Sequence, residues 1–489
     1  MRNLKSEVRS PRSEVRNFTA AALALAAVFF VSLRADAPHV YAITGARIVT
    51  VAGAPIESGT LVIRNGFIDA VGAAVTAPAD AMTIDGRGLT VYPGLIDMGT
   101  SAGLDVPASP PPQNARTRLE AERWKRQSIL HPHLEAANYV RSDAPDLRRL
   151  ASAGITSVLS LPPGDVVRGR SSLINVVAPD DQPQIGNIAD ERRGLYVVKT
   201  PVALHIALVD RAQGTGYPES LFGVIAFVRQ ALLDAQHYQA EWARYESPES
   251  GVRSPKAEQS NVPRPLADTG HRTSNAGRRP VYDQALDALQ PALAGRLPVV
   301  FHVNSALDIQ RALALAKEFR LTATICGAQE ADRVLDDLKA QKTRLIFSLD
   351  LPARSRLLAP EADEPIRVIR QRANVPKVPG QLERAGILFA FHSGGLREPA
   401  DFVRNAARVV KAGLSPDAAI KALTINAATM AGAADRLGSL EKGKIANVIV
   451  TDGDLFDEKT KVKHVFVDGR LVDLEAVPAA RPAGGRRPI

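Results

Sequence analysis

Only one cysteine, Cys326, occurs in 489 residues, so no disulfide can form within the chain. Aromatic residues make up 5% of the sequence, which leaves few rings for stacking on single-stranded nucleic acid. Excess positive charge is scarce where it would matter. Of the formal net charge of +9, three units lie in residues 1–37 and three more in the tail from Arg481. The remainder is too little for a nucleic-acid footprint, and that class of partner is set aside. The phosphate loop GxxxxGK[ST], the dinucleotide loop GxGxxG and the nucleophile elbow GxSxG are all missing. The N-terminal apolar run Phe18 to Leu33 has 16 residues, short of the roughly 20 that a membrane-spanning helix needs.

What is present is ordinary globular composition, with 45% hydrophobic and 23% charged residues. The length suits about three units of roughly 150 residues, or one large α/β barrel with a smaller domain. Residues 1–37 have the pattern of an export signal: basic residues from Arg2 to Arg16, the apolar run, then Ala35-Asp36-Ala37 as a small-x-small cleavage site. A cleaved signal or an uncleaved anchor over 18–33 places the body outside the cytoplasm, in the periplasm, secreted, or held at the inner membrane; a buried helix is the third reading of this run. Any membrane contact would run through this segment alone.

From Val40 to Leu89 the pattern is β, with Asn65-Gly66 marking a two-residue hairpin between Val62-Ile63 and Phe67-Ile68. A β pattern returns at Ala446–Val450 and Val465–Arg470. Two short β regions at opposite ends predict one small domain built from both termini, over 38–92 and 437–476. Between them apolar strands alternate with helices, predicted over Pro218–Tyr245, Ala306–Phe319 and Glu330–Lys339. This alternation predicts a parallel sheet closed as a (β/α)8 TIM-like barrel over 93–436. The polar stretch 246–280 and the tail 477–489 are predicted to be disordered.

The run Val91-Tyr92-Pro93-Gly94-Leu95-Ile96-Asp97-Met98-Gly99-Thr100-Ser101 follows the first β region directly. It resembles the amidohydrolase superfamily, in particular the imidazolonepropionase-like branch, whose first barrel strand reads Pro-Gly-Leu-Ile-Asp-x-His-x-His. The C-terminal run agrees: Asn426-Ala427-Ala428, then Gly438-Ser439-Leu440-Glu441-Lys442-Gly443-Lys444-Ile445-Ala446-Asn447, is similar to that family's closing signature. The resemblance spans about residues 40–474. It implies the barrel, a β-sandwich made from both chain ends, and a divalent metal, zinc first, that activates water against carbon–nitrogen bonds.

The departures bear on function. The two metal-histidine positions hold Gly99 and Ser101, which lack a good donor. The resemblance places His302, at the end of Pro298–His302, as a metal ligand, and puts Cys326 or Gly327 at the next histidine position. No aspartate occurs near Phe391-His392-Ser393-Gly394, where the family has one. His392 is the substitute base, and His302, Cys326 and His392 form the best available mononuclear set. Ser393 is a substrate contact beside it. Arg168 or Arg170 could fork onto a carboxylate, or be exposed loop arginines. His131-Pro132-His133 does not end an apolar strand and is discounted as a metal pair. His205 and His237 are read as packing residues. Two functions stand against each other: a hydrolase of small amides or cyclic amides with a reduced metal site, and a silent member that binds a small ligand or partner.

Overall fold

In this computed structural model the described residues are 40–474, apart from 108–116, 142–143, 177–196, 210–216, 248–278, 356–357, 360 and 395. The export segment, most of the polar stretch 246–280 and the tail from 477 lie outside them. No helix among the described residues is long and apolar enough to cross a membrane.

The N-terminal region forms β1 (Val40–Ile48), β2 (Ile56–Arg64), β3 (Phe67–Gly72), β4 (Met82–Asp85) and β5 (Thr90–Pro93). Asn65 and Gly66 both take positive φ, 52° and 87°, as a tight two-residue β-turn requires. Next come β6 (Leu95–Thr100), β7 (Ile155–Ser160), β8 (Val167–Arg170), β9 (Ser172–Asn175), β10 (Val197–Lys199) and β11 (Leu204–Ala207). They are followed by β12 (Val299–Val303), β13 (Ala323–Gly327), β14 (Arg344–Ser348) and β15 (Phe389–His392). The chain closes with β16 (Val448–Thr451), β17 (Val462–Val467) and β18 (Arg470–Leu471).

Both chain ends join one sheet, ordered β18-β17-β16-β5-β1-β2-β3 with β4 on β1. The seam is β5 against β16, antiparallel from Thr90↔Thr451 to Pro93↔Val448. Tyr41, Ile43, Ile48, Leu61, Ile63, Val448, Val450 and Phe466 pack together on it. Hydrogen bonds run through all eight strands as one sheet.

The middle holds two further sheets, β10-β9-β7-β6 and β15-β14-β13-β12-β11-β8. Strands β11 to β15 are parallel neighbours in sequence order, with helices between them as the alternation predicts. Ile96, Leu159, Leu173, Val300, Cys326, Ile346 and Ala390, from seven strands, meet in one apolar cluster. The strand order over 167–175 departs from that of the expected (β/α)8 barrel. The segment 167–175 runs antiparallel to both its neighbours, β11 through β8 and β7 through β9. Its strands are four residues each with no helix before them, so the chain returns directly instead of crossing over.

Helix boundaries follow capping chemistry. The helix predicted to start at Pro218 starts at Leu221, because the Ser220 side chain accepts from Gly223 N. Ala306–Phe319 matches its predicted span, capped by Ser305 onto Asp308 N. The predicted helix Glu330–Lys339 divides into a short 3-10 turn, Ala331–Arg333, and the helix Leu335–Ala340.

Candidate functional site

The C-terminal ends of the central strands gather the polar residues. His205 lies on β11 and His302 on β12, with His205 Nδ1 and His302 Nε2 2.9 Å apart. Cys326 is the strand partner of His302, and His392 is that of Ser348. Asp97, on β6, is fully buried. Its Oδ1 accepts from Gly99 N at 3.1 Å and from Ser393 N at 2.9 Å, which ties the end of β15 to β6.

Arg168 enters this group through a local irregularity. In the β8–β11 ladder His205 opposes Gly169 and Ile206 opposes Val167, which leaves Arg168 as the extra residue of a bulge. Bulges re-aim a side chain, and this one gives Arg168 a field felt by the whole group. Burial is the first cause that lowers His205 to about 3 and His392 to about 4, and the Arg168 cation is the second. The same two causes hold His302 well below the ordinary histidine value. All three rings are therefore neutral at pH 7. Burial raises Cys326 to about 12, against a lowering by Arg168, so it stays a thiol. Burial raises Asp97 to about 6, opposed by its bonds from Ser393 and Gly99.

Five buried polar atoms here have no hydrogen-bond partner: Asp97 Oδ2, Ser160 Oγ, Arg168 Nε, His205 Nε2 and His392 Nε2. Buried polar atoms are ordinarily satisfied, so five orphans at neighbouring strand ends describe a site that awaits polar contacts. A separate cavity of about 1080 Å³, which none of these five residues lines, is bounded by Trp124, His131, His133, Tyr139, Asp165 and Asp283 among others. Gly164 also lines it, and a Cβ there would stand 3.5 Å from Arg168 Cα.

These residues do not fit the expected metal. Position 99 faces His392, since a Cβ there would lie 3.4 Å from His392 Cβ and 3.5 Å from Nδ1, but glycine offers no donor. Ser101 is exposed. Cys326 is a buried thiol within the apolar cluster rather than a thiolate. His302 Nε2 is engaged by His205. Among the described residues no three His, Cys, Asp or Glu side chains are grouped so that they could hold a metal ion. The expected set His302, Cys326 and His392 is therefore corrected: the three share one neighbourhood with a guanidinium, which repels a divalent cation.

The two arginines part company. Arg170 pairs with Glu135 at 3.3 Å and reaches the His133 carbonyl, so it braces the loop 131–135. Ser393 serves Asp97 through its amide. His131 Nε2 lies 2.9 Å from the Ser128 carbonyl. Sequence reasoning missed Asp97 and His205. The signal for Asp97 was a lone acid inside Leu95-Ile96-Asp97-Met98, and for His205 a lone histidine inside the apolar run Ala203–Ala207.

Residues 285–472 match the family model of the amidohydrolase family. A search of curated proteins finds no match. Among solved structures, an amidohydrolase from Thermotoga maritima aligns with a TM-score of 0.66 and 21% identity, over 88% of this chain and 99% of that one. A prolidase complexed with N-methylphosphonate-L-proline aligns with a TM-score of 0.51 and 18% identity, again over 88% and 99%. A candidate prolidase from Bifidobacterium longum gives 0.50 and 18%, over 92% and 97%. At these identities the likeness is one of fold. The match to the amidohydrolase family model is confined to residues 285–472, and over most of the chain the fold is similar to that of these solved structures.

Proposed function

We propose that this protein binds a small carboxylate- or amide-bearing molecule at the ends of the central strands, with the Arg168 guanidinium as the fixed positive charge that holds it. The observation that carries this reading is the bulge that turns Arg168 toward His205, His302 and His392 while its Nε lacks a partner. A guanidinium supplies fixed positive charge and planar donors to a carboxylate or a polarised carbonyl oxygen. Neutral His205 and His392 offer their unpartnered Nε2 atoms to the ligand's N–H or O–H groups. The strands are read as a closed barrel with one reversed strand, and residues 1–37 support an extracytoplasmic location.

A second reading is hydrolysis of a carbon–nitrogen bond, as the family name and the imidazolonepropionase-like sequence signature suggest. Asp97 favours it: its carboxyl, raised to about 6, has one free oxygen and sits near the value useful to a general base at neutral pH.

The test combines elemental analysis of the purified chain from Pro38 onward with calorimetric titration of N-acyl amino acids and cyclic amides. Binding that weakens by about tenfold or more in Arg168→Met, with no stoichiometric metal after loading, is the expected result. About one zinc per chain that disappears in His302→Ala would sink the metal-free reading. Turnover that vanishes in Asp97→Asn while binding persists would select the second reading.

A further inference from the structure

A second cluster of unsatisfied polar atoms lies away from the strand ends, between two helices. Leu221–Glu246 carries Tyr238, Trp242 and Glu246 at four-residue intervals, hence on one face. Gln284–Leu293 packs against it and carries Asp287 and Gln290. With Tyr282 these residues line a cavity of about 520 Å³. Three of them contribute buried polar atoms without a partner: Tyr238 Oη, Trp242 Nε1 and Gln290 Oε1. Tyr238 is only 6% exposed. Gln290 Nε2 donates to the carbonyls of Ala235 and Leu286, both at 2.9 Å, which leaves Oε1 as its open acceptor. Glu246 and Asp287 add negative charge, and neither has a cationic side-chain partner among the described residues. One cation is already in place: the Arg279 guanidinium carbon sits 5.6 Å from the Trp242 ring centroid.

We propose that this cavity is a binding site for a small organic cation of the guanidinium or alkylammonium class, and that Arg279 is its intramolecular competitor. The indole face attracts positive charge through its quadrupole. The ligand's N–H groups meet Gln290 Oε1 and Tyr238 Oη, the two acceptors that lack a donor. Glu246 and Asp287 complement its charge, and Trp242 Nε1–H is free to donate to an oxygen of the same ligand. A neutral or anionic ligand would leave both carboxylates uncompensated. The site is independent of the reading at the strand ends.

Trp124 and Trp242 are the two tryptophans of the chain, so Trp124→Phe leaves one reporter in the full-length protein. Titration of that variant with methylguanidinium chloride should give a saturable change in Trp242 fluorescence that sodium chloride at equal ionic strength does not. Calorimetry on the unsubstituted chain should return the same dissociation constant, which guards against damage from the substitution. Arg279→Ala should tighten binding about threefold or more by removing the competitor. Gln290→Leu combined with Asp287→Asn should weaken it about tenfold or more. Absence of saturable binding with Arg279 both present and removed overturns the proposal. So does weaker binding in Arg279→Ala, which would make Arg279 part of the wall.

Discussion

His205 and His302 share a hydrogen bond between neighbouring parallel strands, with Nδ1 of the first 2.9 Å from Nε2 of the second. One ring must present N–H and the other a lone pair, so the two are neutral and in complementary tautomers. Protonating the acceptor ring would break the pair, and protonating the donor ring would put a second positive charge beside the Arg168 cation. The relationship fixes the electrostatic character of the site: positive charge resides on arginine and stays there across the physiological range.

That arrangement predicts an acid-sensitive fold. The native histidines, at about 3 for His205 and about 4 for His392, bind fewer protons than their unfolded counterparts near 6.5. Stability is therefore fully present above about pH 6.5 and falls as pH drops toward 4, by about 3 kcal/mol for His392 alone. Asp97, raised to about 6, works in the opposite direction over the same window. In urea unfolding at pH 7.5, 6, 5 and 4, the stability of wild type relative to His392→Gln should fall by about that amount as pH drops. An acid limb identical in the variant would contradict the burial of a neutral His392.

Asp468 predicts a limb at higher pH. It occupies the turn Asp468-Gly469 at φ 51° and 71°, and its Oδ1 accepts from Asn175 Nδ2 at 2.5 Å. Asn447 Oδ1 accepts from its amide, and Asn447 Nδ2 donates to Ser157 and Asn175. Burial raises its carboxyl to about 8, so the native state keeps the proton that the unfolded state loses near 4. The contribution of Asp468 to stability should decline from about pH 4 to about pH 8 and then level, by about 5 kcal/mol. Asn tolerates the left-handed backbone and lacks the titration. The stability gap between Asp468→Asn and wild type should widen over that interval. A gap that does not change with pH would mean the carboxyl is ionised in the fold.

Gly94 has a steric reason. A Cβ there would overlap the Thr156 side chain, while Gly94 N donates to the Asn447 carbonyl at 2.8 Å and holds the backbone in place. Gly94→Ala should cost about 2–4 kcal/mol of stability. Thr156→Ala in the same chain should recover about 1 kcal/mol or more beyond additivity. Additive effects in the double-mutant cycle would refute the contact.

Cys326 should be inert in the folded protein. With the thiol at about 12, its thiolate fraction at pH 8 is on the order of one in ten thousand, and the side chain is 2% exposed. Iodoacetamide should label it only after denaturation. Labelling of the native protein at the rate of a free thiol would restore Cys326 as a reactive or ligand residue.

Much of the fold is legible from local chemistry. Asn65-Gly66 forms its hairpin because both residues accept positive φ. The helix Ala306–Phe319 keeps its predicted ends because Ser305 caps it and an apolar stripe, including Ile309, Leu313 and Phe319, faces the core. The segment 167–175 was not legible as a reversed strand. Four-residue runs are equally compatible with either direction, and only pairing with β7 and β11 sets it.

The sequence by itself determined the alternation of strands and helices, the two terminal β regions, and the absence of histidine at positions 99 and 101, because each depends on residue type and short-range spacing. Tertiary structure alone decided that Arg168 joins His205, His302 and His392 while Arg170, two residues on, pairs with Glu135. Burial and Coulomb interaction depend on distance through space, and one bulge in a short strand sent the two side chains to different partners.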